Sequence, residues 1–144
     1  MPLPSWQDSL WEQVVYLEIA VGDYCYALPA HSILGIEQDV VLSPIVTFRD
    51  LRLPACDLRA FWGSPSRHVT PFLVAFEGGS HPVAIGVDRV SYLRHQTGSL
   101  LNVSKLGLLR PDVVLGAIRH ESRLLVVLQP VALAIAIIQI SQTI

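Results

Sequence analysis

The chain is short of charge. Only 15% of its residues are Asp, Glu, Lys or Arg, and a single lysine, Lys105, accompanies nine arginines. No basic run exists, and the formal net charge is −2, so nucleic acid is an unexpected partner. Long apolar runs are also missing. The longest, residues 131–138, is far below the roughly 20 residues that a membrane-spanning helix needs. The first ten residues lack a positive stretch, and no apolar run follows them before Trp11, so no signal peptide is read there. There are only two cysteines, Cys25 and Cys56, and they have no metal-type spacing. Both read as reduced thiols in apolar surroundings, as expected of a cytoplasmic protein.

The motifs of common catalysis are absent as well. The sequence has no Gly-x-Ser-x-Gly elbow, no phosphate-cradling glycine loop and no His-Glu-x-x-His. Its five histidines (His31, His68, His81, His95, His120) fall in separate turns or segment ends, too scattered for a metal. A Cys25–His31 nucleophile would lack an orienting third group. The chain therefore reads as neither an enzyme nor a cofactor protein.

What is present is apolar sequence cut into short pieces. Hydrophobic residues make up 51% of 144, enough to offset the ordering entropy of one domain. Residues 13–21 and 24–28 are rich in β-branched, aliphatic and aromatic side chains, and Gly22-Asp23 between them predicts a tight hairpin turn. A helical turn at 29–32 and a strand over 33–42 follow. Residues 51–56 carry Pro54, which predicts an edge strand or an interruption. Asp57 is placed to cap a short helix through Trp62. Residues 63–66 read as a loop. A second hairpin is expected from 69–77 and 82–93 around Gly78-Gly79-Ser80. A buried Asp88 would need a partner such as Arg89 or a backbone donor. The stretch 94–111 reads as irregular, and a third hairpin from 113–119 and 123–128. Pro130 then opens a terminal helix to about residue 138. Strands at this spacing, with brief helices, predict a mainly β barrel or sandwich; three hairpins allow two small barrels with a common core.

Two segments suggest surface work. Phe48-Arg49-Asp50-Leu51-Arg52 is an arginine-rich turn. It reads either as a solvated turn whose arginines pair with Asp50 and Asp57, or as a binding rim. The terminal helix is apolar on nearly every face. Residues up to about Ile135 are expected to pack within the domain, leaving Ile137, Ile138 and Ile140 to dock on a partner. No Lys or Arg flanks that helix on a polar face, so membrane insertion is not expected.

Five motifs in order resemble the CheW family, bacterial couplers that link chemoreceptors to the CheA histidine kinase. They are Tyr16-Leu-Glu-Ile-Ala-Val-Gly-Asp-Tyr-Cys-Tyr-Ala-Leu28, Ile33-Leu-Gly-Ile36, Leu53-Pro-Ala-Cys-Asp-Leu-Arg59, Ala84-Ile-Gly-Val-Asp-Arg-Val90, and Val114-Leu-Gly-Ala-Ile118 with Arg123-Leu-Leu-Val-Val-Leu-Gln-Pro130 and Leu133. The resemblance implies two SH3-like five-stranded β-barrels sharing a core, with short helices that include a C-terminal one. It places a family domain at residues 13–134, an N-terminal extension at 1–12 and an apolar helix end or tail at 135–144. It also implies no catalytic residue and no cofactor. The implied partners are the cytoplasmic tip of a methyl-accepting chemoreceptor and the regulatory domain of a CheA-type kinase. Arg49 aligns with the arginine of the family's Asn-Leu-Arg-Gly turn, and Ile33 with an apolar residue of the same receptor-side groove. Phe48, Asp50 and Arg52 flank that position, with Asp50 where the family has glycine. Two alternatives stay open: a divergent coupler that meets one of these partners, and a small-ligand-binding β-barrel.

Overall fold

The computed structural model describes residues 13–62, 67–96, 111–120 and 123–142. The loop read at 63–66, most of the irregular stretch 94–111 and both chain ends lie outside these. The described residues form ten strands: β1 (Gln13–Val21), β2 (Tyr24–Pro29), β3 (Ile33–Val41), β4 (Ile45–Phe48), β5 (Leu51–Asp57), β6 (Val69–Gly78), β7 (His81–Val87), β8 (Arg89–Gln96), β9 (Val114–His120) and β10 (Arg123–Leu128). Short 3-10 turns occupy Ala30–Ser32, Leu58–Trp62 and Pro111–Val113, and among the described residues an α-helix, α1, spans Pro130–Gln142.

The strands form two five-stranded sheets, each curled into a half-barrel, ordered β8-β1-β2-β10-β9 and β3-β6-β7-β5-β4. Both sheets repeat one pairing pattern. Each has two antiparallel contacts, then a parallel one (β2 with β10, β7 with β5), then an antiparallel one. The second sheet uses five consecutive strands. The first takes β1 and β2 from one end of the chain and β8 to β10 from the other, so it closes only when the ends meet.

Side-chain alternation explains why so many strands read as unbroken apolar runs. On β6, Leu73 and Ala75 point into the second barrel with Val46, Phe48 and Leu53. Val74 and Phe76 point the other way, into a shared core with Leu17, Ile19 and Leu28 of the first sheet. On β10, Leu125 and Val127 fill the first barrel, while Leu128 joins the shared core. Strands buried on both faces have no polar face to display.

Three expectations are revised. Residues 82–93 are not one strand: the run breaks at Asp88, β7 staying in the second sheet and β8 crossing to the first. Pro54 neither interrupts β5 nor marks a simple edge. The strand pairs with β4 through Leu51 to Pro54 and with β7 from Ala55 onward, so the residue lacking an N–H sits at the handover. The terminal helix runs on to Gln142, and its buried face is Leu133, Ala134, Ala136 and Ile137. Ile137 is fully buried and so is out of a partner's reach, while Ile138 and Ile140 are half-buried against the same core. The exposed apolar residues of α1 are instead Val131 and Ile135, one turn apart on the opposite face.

Candidate protein-interaction surface

The thiols and imidazoles assemble no reactive group among the described residues. No cluster of three His, Cys, Asp or Glu is placed to hold a metal there. Cys56 is buried, and that burial, reinforced by neighbouring Asp57, pushes its thiol up to about 12, leaving it protonated at neutral pH.

The charged groups that do meet form a staple between the barrels. Asp57 caps the 3-10 turn as its sequence position predicts, accepting from the Arg59 amide at 3.1 Å. Its other oxygen accepts from the Arg67 amide at 3.0 Å and from Arg67 Nε at 3.2 Å. Asp88, at the crossing between the sheets, accepts from Arg59 at 3.0 Å, from Arg67, and from the Gly22 amide in the β1–β2 turn at 2.6 Å. Its charged partners are thus these two arginines rather than Arg89, and Gly22 supplies the expected backbone donor. Burial acts to raise the Asp88 pKa, but the Gly22 amide, Arg67 and Arg59 together outweigh it and hold the carboxyl below its usual 3.8. A carboxylate with a depressed folded-state pKa contributes stability in full above its unfolded value and loses it as pH falls through the folded one. The stability gap between the wild type and Asp88→Asn, from urea unfolding midpoints, is therefore expected to be constant well above the ordinary carboxylate range and to shrink as the pH falls below it. A gap independent of pH would refute this assignment.

The arginine turn lies at the other end of the second barrel. Phe48 pairs with Leu51 across β4 and β5, leaving Arg49 and Asp50 as a two-residue turn. Both have left-handed backbones, with φ of 45° and 68°. Such a turn prefers Asn-Gly, and each side chain there costs roughly 1–2 kcal/mol. Asp50 thus adopts the conformation that glycine takes freely. The Arg49 guanidinium lies over the Phe48 ring, 4.9 Å from its centroid, and donates to the Leu34 carbonyl at 3.3 Å. The solvated-turn expectation fails at its acids: Asp57 is engaged by Arg67, and Arg49 turns to a ring and a carbonyl. Of the residues read as a binding rim, Arg49, Asp50 and Arg52 are exposed and Ile33 is half-buried. Phe48 is only 2% exposed and offers no surface; it is the platform beneath Arg49.

Sequence reading did not locate the cleft that adjoins this turn. Its volume is about 420 Å³, and Leu34, Glu77 and Gly79 of the second barrel, Leu115 of β9, and Gln129, Pro130 and Val131 at the start of α1 line it, with Pro29 and His31 from the link between β2 and β3. Leu115 and Val131 are 45% and 44% exposed, and Ile135 extends the apolar strip by one helical turn. Leu34 lines the cleft, and its carbonyl accepts from Arg49, so one residue is common to the turn and the cleft.

No family model matches the chain, and no curated protein matches it by sequence. Among solved structures, the fold is similar to that of the scaffolding protein TtCheW from Thermoanaerobacter tengcongensis, with a TM-score of 0.70. That match covers 80% of this chain and 88% of the other at 14% identity.

Proposed function

We propose that this chain is a non-enzymatic adaptor of a bacterial chemosensory system, coupling chemoreceptors to a CheA-type histidine kinase in the cytoplasm. One observation carries the reading: an apolar cleft between two barrels, edged by a pre-set arginine, on a fold shared with a scaffolding protein. Exposed Leu115, Val131 and Ile135 would receive the apolar face of a helix, and Arg49, bonded to the carbonyl of cleft residue Leu34, would set its register. A receptor's helical cytoplasmic tip fits that description. The kinase's regulatory domain would dock elsewhere on the barrels.

The test reconstitutes receptor, kinase and this protein and follows kinase phosphorylation. Wild-type protein is expected to raise receptor-coupled output. Arg49→Glu is expected to lower affinity for the receptor tip by about ten-fold or more, with circular dichroism and the thermal midpoint unchanged. Unchanged kinase output on adding the wild type would overturn the reading. Pairwise binding to tip and kinase domain identifies a coupler that keeps only one partner.

A further inference from the structure

Gly35 stands on β3 beside a register shift in the pairing with β6, and its φ lies outside the left-handed region, so a left-handed backbone does not explain a glycine there. Space does. A Cβ at this position would lie 2.5 Å from Cζ of Phe48, 3.0 Å from Nη2 of Arg49 and 3.2 Å from its Cζ. Phe48 is buried among Val46, Leu53 and Leu73 and has no room to swing away. The exposed guanidinium is the neighbour free to move, so a methyl group on residue 35 would both strain the packing of Phe48 and displace Arg49.

We infer that Gly35 is a positioning residue for Arg49: its missing side chain leaves the space that the guanidinium occupies over the Phe48 ring and against the Leu34 carbonyl. The inference rests on the proposed role of Arg49 at the cleft and deepens it. Of the five guanidinium N–H groups, one bonds Leu34, which leaves donors for acceptor oxygens of a docked segment. A guanidinium already held in place loses less rotamer freedom on binding than a free one.

The test uses the full chain with 15N-labelled arginine side chains. In the wild type the Arg49 guanidinium resonances are expected to be shifted upfield by the Phe48 ring, and in Gly35→Ala to move to the position of a free arginine. Affinity for a chemoreceptor-tip fragment is expected to fall about ten-fold in Gly35→Ala but to be unaffected by the same change in an Arg49→Ala background, since the two act as one unit. A merely structural glycine would lower affinity equally in both backgrounds. Should Gly35→Ala not fold, Gly35→Ala/Phe48→Leu, which removes the nearest ring atom, is compared with Phe48→Leu alone; faster solvent exchange of the Arg49 guanidinium protons in the double variant, as the bond to the Leu34 carbonyl opens, supports the inference. Resonances that do not move on adding the methyl overturn it. Failure of the wild type to bind the tip would instead sink the proposed function, while the resonances still decide what Gly35 does.

Discussion

Asp57→Ala is expected to cost about 3 kcal/mol, at the lower end of what breaking a buried ion pair removes. The carboxylate is wholly shielded from solvent and receives the Arg59 amide, the Arg67 amide and Arg67 Nε. Alanine leaves two amides and one guanidinium edge without their acceptor. Arg67 is 27% exposed, so water recovers part of the loss, and Asp88 still holds its other arm. Asp57→Asn keeps an acceptor oxygen and should cost less than Asp57→Ala. Urea unfolding at neutral pH reads both. A loss under about 1 kcal/mol for Asp57→Ala, the scale of an exposed pair, would mean that the staple is not a stabilising element.

The second large effect belongs to Gly78, where a Cβ would stand 2.2 Å from the Pro130 carbonyl oxygen and 2.9 Å from the Ala134 Cβ. Here the obstacle is the first turn of α1, whose backbone has no flexible end to swing away. The Gln129 side chain, accepting from the Val131 amide at 3.3 Å, holds that turn in place. Gly78→Ala must push the helix off β6 and is expected to cost about 3 kcal/mol, at the upper end of overpacking. Neighbouring Gly79 gives the control. It has φ of 66° and only a 3.8 Å contact, so Gly79→Ala should cost about 1 kcal/mol of backbone strain. Thermal midpoints should fall further for Gly78→Ala than for Gly79→Ala; the reverse order would show that α1 does not bear on β6 as described. Because Pro130 and Val131 form one wall of the cleft, Gly78→Ala should also weaken binding of any segment seated there.

Much of this was legible from residue order. Gly22-Asp23 marked its turn because glycine takes φ of 60° without strain. Asp57 announced its cap because a carboxylate one residue before a helical turn has few other local uses. The break at Asp88 was not legible. Val87-Asp88-Arg89-Val90 holds neither proline nor glycine, and the chain changes sheet there around a carboxylate whose arginine partners lie 29 and 21 residues away. The helix misled in the same manner: Val131, Ile135 and Ile137 are all apolar, yet only the last is buried. The cleft left no local trace, since four separate stretches of chain build it.

The sequence by itself determined most of the strand segments and the turns between them, the break at Asp88 excepted, because turn residues and apolar runs act over a few neighbours. It also determined that the product is mainly β, since apolar segments this short have no other common way to pair their backbone groups. Only the tertiary structure decided which apolar residues fill a barrel, which join the shared core, and which are left for a partner. A strand buried on both faces, or a helix apolar all round, carries the same letters on each side, and contact with distant segments alone tells those sides apart.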